Sequence, residues 1–285
     1  MSDSAQGATP GQAAKAPASD AADFAALLAK IARERDFVCH SYKEKCLRRR
    51  IAVRLRAKGI ATYADYARLL ESDPREYDTL LDTLTINVTK FFRNWDAFSA
   101  LSRTVVPSLW KLPTDALHIW SAGCASGEEP YSLAALFHAY AVEQHDVARA
   151  DRIRVLGTDI DRESLSAANR GTYPDAAFAD TPKGLRAEYF SNGTPSEVDR
   201  RIRALVRFAR HDLIRDPAPG GQHLIACRNV IIYFDRAAQE ALFARFHAAL
   251  VPGGFLVLGK VETLLGPTRN LFAPVDARER IFSRV

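Results

Sequence analysis

"IWSAGCASGEEPYSLA" (residues 119–134) carries three signals in one stretch. A strand-like apolar run ends in small residues. Two carboxylates, Glu128 and Glu129, follow at once, and Pro130 opens a stretch of helical period. A strand turning through glycines into a helix is the repeating unit of a doubly wound sheet. Such sheets bind ligands outside the carboxyl ends of their strands, where strand order reverses. Gly123 and Gly127 mark the turn, and Ala122, Cys124, Ala125 and Ser126 keep it narrow.

The stretch matches neither G-x-G-x-x-G nor G-x-x-x-x-G-K-[ST]. Acids at the helix entrance would also repel a pyrophosphate. The loop suits a nucleoside that carries positive charge, and S-adenosylmethionine, with its sulfonium and ammonium, is one. One glutamate would bind the ammonium while exposed backbone N–H groups take the carboxylate. The same acids would equally favour the helix N-terminus through its dipole, so the loop alone leaves both readings open.

Outward from this stretch, short apolar runs alternate with helical ones. Candidate strands are "LHIWSA" (117–122), "RIRVLGTDI" (152–160), "LVRFARHD" (205–212), "HLIACRNVI" (223–231) and "GGFLVLGK" (253–260). Between them, 129–145, 162–171 and 236–250 have helical period. The rhythm predicts an α/β fold with a mostly parallel Rossmann-like sheet. Residues 259–285 supply the last antiparallel strands, with "RERIFSRV" (278–285) the clearest, and about 171–203 an inserted subdomain. Residues 21–95 read as a small helical domain, with Thr62 as a cap and Gly59 as a helix stop. Residues 1–20, rich in Ala, Pro, Gly and Ser, read as a disordered tail before it, and residues 96–285 as the ligand-binding domain.

Two further strand ends carry polar groups. "RVLGTDID" ends at Asp159, where nucleoside-binding α/β folds place a carboxylate for the ribose hydroxyls. Asp161 would cap the next helix. "ACRNVIIYF" brings Arg228 and Asn229 to the same edge. Cys39, Cys46, Cys124 and Cys227 form no CxxC pair and have no histidine at ligand spacing, so neither a metal site nor a disulfide framework is expected. A reducing cytoplasm is the expected home, since no apolar run reaches membrane-spanning length and no signal peptide is evident.

In this order "LTINVTKFFRN" (84–94), "WSAGCASGEEPYSLA", "GTDIDRESL" (157–165) and "CRNVIIYFD" (227–235) resemble the chemotaxis receptor methyltransferases, the CheR family. The basic "YKEKCLRRRIAVRL" (42–55) also looks like that family's helical domain, and the resemblance covers roughly residues 25–285. It implies an S-adenosylmethionine-dependent class I methyltransferase that forms glutamate methyl esters on the cytoplasmic helices of methyl-accepting chemotaxis receptors. It further implies no metal, no nucleic acid partner, no membrane insertion and a monomer. Carried over by position, Asn87, Thr89, Arg93, Gly123, Glu129, Asp159, Asp212, Leu213, Arg228 and Asn229 line the cofactor site. Arg93 and Tyr233 stand near the transferring methyl. Asp212 departs from the family's usual asparagine, which weakens the adenine-side assignment. In some members a β-subdomain docks a receptor's C-terminal pentapeptide, and the short insert here is expected to lack that dock.

The 47% hydrophobic, 26% charged composition is that of a globular chain, and the net charge of +5 favours an acidic partner. Eight basic residues lie between Lys43 and Lys58 against the single acid Glu44. Leu47, Ile51 and Leu55 face inward at i, i+4 spacing, which leaves Lys45, Arg49 and Arg56 on the solvated face as receptor-binding candidates. An RNA methyltransferase is a rival reading, though no aromatic platform for unstacked bases is evident. So is a non-catalytic, cofactor-binding adaptor that docks on receptors.

Overall fold

The structure, a computed structural model, describes residues 17–35, 37–84 and 89–285. The chain divides into two compact units, one reaching His40 and resuming over Glu44–Leu84, the other made of Ser41–Lys43 and Thr85–Val285.

The first unit holds α1 (Pro17–Arg35), α2 (Glu44–Ala57), α3 (Tyr63–Ser72) and α4 (Pro74–Leu84). Leu47, Ile51 and Leu55 are buried, as their spacing predicts. The Thr62 hydroxyl caps α3 by accepting the Asp65 N–H at 3.1 Å, and Gly59 (φ +65°) follows α2 in the left-handed region. Its polar centre is Glu76, 2% exposed. Glu76 takes two bonds from Arg54 (2.9 and 2.7 Å), one from the Tyr66 hydroxyl (2.6 Å) and an ion pair from Lys58 (3.1 Å). Burial alone would raise its pKa, but these donors prevail and hold it at about 2. Two boundaries differ from the sequence reading. The first helix begins at Pro17, inside the segment read as a tail, because proline suits the first helical position and Asp20 in the first turn favours the dipole. Residues 1–16 of that segment lie outside the described residues. The helical unit ends at Leu84 rather than near 95, because Phe91 and Phe92 are fully buried in the second unit.

The second unit runs α5 (Trp95–Ala100), a π-helical stretch (Leu101–Val105), α6 (Val106–Trp110), β1 (Leu117–Ala122), α7 (Glu128–Glu143), α8 (Val147–Ala150), β2 (Ile153–Asp159) and α9 (Arg162–Arg170). The insert follows as β3 (Thr172–Tyr173), α10 (Lys183–Tyr189), β4 (Ser196–Glu197) and α11 (Arg200–Arg203). The chain closes with β5 (Val206–Arg210), β6 (Gln222–Cys227), α12 (Arg236–Ala249), β7 (Leu250–Leu258), β8 (Phe272–Asp276) and β9 (Ile281–Arg284).

Seven strands form one sheet in the order β5-β2-β1-β6-β7-β9-β8. Pairing is parallel from β5 to β7, and β9 is antiparallel to both β7 and β8. Strand order reverses between β1 and β6, so the crevice there opens between the loops after those two strands. All six residues of β6 are buried, as in a strand covered on both faces. The insert pairs β3 with β4 antiparallel, apart from the main sheet. Phe91 stacks on Phe178 of this insert (centroids 4.7 Å) and meets Tyr173 and Phe190 edge-on.

Candidate functional site

The loop after β1 hangs on β2. Gly123 and Cys124 both donate their N–H to the Thr158 carbonyl, at 2.8 and 2.9 Å. Gly123 has φ +83°, and a Cβ there would stand 2.5 Å from Val230 Cγ2, so this loop and the one after β6 meet at bare backbone. Ala125 takes φ +47°, a costly conformation for a residue with a Cβ. Its N–H donates to Asp159 Oδ2 at 2.8 Å, and Asp159 Oδ1 accepts the Asp161 N–H at 3.0 Å. Burial pushes the Asp159 carboxyl above its ordinary range, against the pull of these bonds.

The two glutamates divide their work. Glu128 is buried, accepts the Ser126 hydroxyl at 3.0 and 2.8 Å, and is shifted upward by burial. Glu129 lines the crevice. Its Oε1 accepts the Ser121 hydroxyl at 2.8 Å, and its Oε2 lies 3.3 Å from Arg228 Nη1. Arg228 also donates through Nη2 to the Arg93 carbonyl (2.8 Å) and lies 5.2 Å from the Phe98 ring centroid. Arg228 Nε is buried and has no hydrogen-bond partner among the described residues.

Thr89, Arg93, Gly123, Glu129, Arg228 and Asn229 therefore line one cleft, with about 440 Å³ of empty space including its open mouth. Asp159 is outside the lining and holds the backbone of Ala125, which is part of it. Asp212 and Leu213 are also outside it. Asp212 Oδ1 accepts the Ile214 N–H at 2.8 Å, while Leu213 is buried in the core beside α12. The neighbouring His211 N–H donates to the Asp159 carbonyl at 2.9 Å, which keeps this segment beside the end of β2. Tyr233 is half-buried at the end of a 3-10 turn and outside the lining. Asn87 lies outside the described residues.

Sequence reading missed Lys90 and Phe98 in the lining and Ser121 behind Glu129. Phe91 and Phe92 both belong to the core, and Phe98 supplies the ring at the cleft instead. Cys124 is buried, and burial raises its thiol well above the usual range, so it is a small packing residue. His138 bonds the Tyr189 hydroxyl (2.9 Å), and His223 Nδ1 accepts the His118 N–H (3.1 Å), both structural uses.

In the basic stretch, Arg48 pairs with Glu44 and Asp20, Arg54 and Lys58 with Glu76, and Lys43 reaches the Ile232 carbonyl. Arg50 is buried and donates to the Thr83 and Leu84 carbonyls. Lys45, Arg49 and Arg56 are exposed and have no carboxylate partner among the described residues.

Residues 22–85 match the family model described as "CheR methyltransferase, all-alpha domain", and residues 87–281 the one described as "CheR methyltransferase, SAM binding domain". A chemotaxis protein methyltransferase of Listeria monocytogenes is 34% identical over 227 residues, 79% of this chain and 84% of that protein. Its counterpart in Klebsiella aerogenes is 32% identical over 269 residues, 91% of this chain and 89% of that protein. An uncharacterised 104.1 kDa protein of Rhodobacter capsulatus is 34% identical over 244 residues, 85% of this chain, which spans only 25% of that larger protein. Among the described residues no helix is long and apolar enough to cross a membrane.

Proposed function

The chain belongs to the CheR methyltransferase family, S-adenosylmethionine-dependent enzymes of class I fold, and we propose that it methylates glutamate side chains on the cytoplasmic helices of methyl-accepting chemotaxis receptors. The observation that supports this reading best is the cleft where strand order reverses. There a carboxylate, Glu129, and a buried guanidinium, Arg228, line the same space. That donor set suits the amino-acid end of the cofactor, one group for its ammonium and one for its carboxylate.

When bound, S-adenosylmethionine supplies a methyl on a cationic sulfur. Glu129 would hold the ammonium, already aligned by the Ser121 hydroxyl. The Arg228 guanidinium would donate to the carboxylate. Asp159 has acceptor capacity beyond the backbone bonds it takes, and this would accept the ribose hydroxyls. Asp212 and Leu213 would border the adenine, and Asn87 and Thr89 would complete the wall.

A glutamate side chain, with an ordinary pKa of about 4.3, is already ionised at neutral pH. No general base is required, and no Ser-His-Asp or Cys-His arrangement need be sought. What the protein supplies is position, and for well-oriented groups this is worth roughly 7–11 kcal/mol. Arg93 would orient the incoming carboxylate, because a guanidinium stays charged and grips two oxygens in one plane. The Tyr233 hydroxyl would be a second donor. Lys45, Arg49 and Arg56 would meet the acidic receptor surface through a field that speeds encounter.

The direct assay incubates the protein with methyl-labelled S-adenosylmethionine and receptor cytoplasmic fragments, then releases label with base. Volatile labelled methanol is expected. Cofactor binding without any base-labile ester would show that the acceptor is not a carboxylate.

A further inference from the structure

Arg228 and Asn229 owe their placement to a residue outside the cleft. The loop after β6 turns sharply at Asn229, whose φ of 62° is left-handed. The four successive backbone N–H groups of Asn229, Val230, Ile231 and Ile232 then converge on one carboxylate, that of Glu262, at 3.0, 2.9, 2.8 and 3.4 Å. A fifth, from Gly259, reaches it at 2.6 Å. Glu262 lies in the segment after β7, is 3% exposed, and bears on the loop that carries the cleft's guanidinium. Gly259 leaves room for this arrangement, since a Cβ there would stand 2.7 Å from both Asn229 N and Glu262 Oε2. Val230, held by Glu262, is also the side chain packed over Gly123, so the β1 loop rests on the same support.

Four neighbouring N–H groups pointing one way form an anion-binding concavity. Here the protein fills it with its own side chain. We propose that Glu262 is a positioning residue of the cofactor cleft, whose anionic carboxylate sets the Asn229–Tyr233 loop and thereby the aim of Arg228 and Asn229. Neither charge nor shape alone would serve. An amide in its place presents an NH₂ donor to some of the same N–H groups, and the loop would have to turn away.

The inference rests on the cofactor reading above, and S-adenosylhomocysteine binding by calorimetry separates the two. If the wild-type protein does not bind it, the cofactor reading fails, and this inference with it. Given wild-type binding, Glu262→Gln should raise Kd at least tenfold. Gly259→Ala, which keeps the carboxylate but crowds Asn229, should raise it too, and it stands in if the first variant does not fold. Ile153→Ala, at the opposite end of β2, is the control. It should lower Tm while leaving Kd within twofold, so that loss of stability alone does not mimic the effect. Wild-type affinity in either folded loop variant overturns the proposal.

Discussion

Replacing Glu129 with glutamine changes one atom and tests the cleft at its centre. The amide oxygen can still accept the Ser121 hydroxyl, now at 2.8 Å from Oε1, so the rotamer has a reason to persist. Only the charge is lost. Two consequences follow, of different size. The pair with Arg228 spans 3.3 Å, longer than the 2.7–2.9 Å typical of strong charge-assisted bonds, and the side chains are 4% and 13% exposed. Desolvation therefore offsets much of its attraction, and the stability cost should be modest, about 1–3 kcal/mol. Binding should suffer more visibly. A hydrogen bond to a charged group contributes about 1.5–3 kcal/mol, and each 1.4 kcal/mol is tenfold. Kd for S-adenosylhomocysteine should therefore rise roughly 10- to 150-fold by calorimetry, with only a small fall in Tm. Ser121→Ala, which removes a neutral donor and leaves the charge, should cost about tenfold or less. A Kd within threefold of wild type for Glu129→Gln, or a larger loss for Ser121→Ala, would refute the assignment of Glu129 to the ligand's ammonium.

Three other outcomes are expected. Arg93→Ala should reduce the receptor methylation rate by at least a hundredfold and leave S-adenosylhomocysteine affinity measurable; a normal rate would remove Arg93 from the chemistry. Arg49→Glu combined with Arg56→Glu should lower kcat/KM for receptor several-fold, most strongly at low salt, with cofactor affinity unchanged. An unaltered rate would make these residues ordinary solvated charges. Glu76, depressed to about 2 from an ordinary 4.5, adds stability above pH 4.5 that is lost as pH falls toward 2. Acid titration of Tm should therefore show a step that Glu76→Gln removes, at a cost of about 3 kcal/mol at neutral pH, and an unchanged acid limb would contradict the cluster.

Much of the fold was legible because its signals are local. The run 117–122 is β1 residue for residue, and the Thr62 and Asp161 caps are where capping chemistry puts them. Leu47, Ile51 and Leu55 repeat at helical spacing, so their inward face followed from period alone. The cleft was legible at Gly123, Arg228 and Asn229, where a glycine marked a turn or a polar group ended an apolar strand, and at Thr89, Arg93 and Glu129 through the family motifs. Lys90 lies between Thr89 and Arg93 in the same motif and Phe98 just beyond it, but neither a lone lysine nor a ring in an apolar run marks itself as cleft-facing in the sequence. The resemblance picked Glu129 of the two glutamates, and the physical reason is tertiary, Ser126 taking Glu128 and Ser121 taking Glu129. Glu262 left no trace in the pattern, since a carboxylate that gathers backbone N–H groups has no periodicity. Asp212 reads as a ligand residue by position, yet its carboxylate accepts the Ile214 N–H and shapes the turn beside Asp159.

A crystal soaked with S-adenosylhomocysteine tests the central claim most directly. The account predicts density between the β1 and β6 loops, with the ammonium on Glu129, the carboxylate within bonding distance of the Arg228 guanidinium, and the ribose on Asp159. Ligand bound elsewhere, or in this cleft with Glu129 and Arg228 both turned from it, would contradict it.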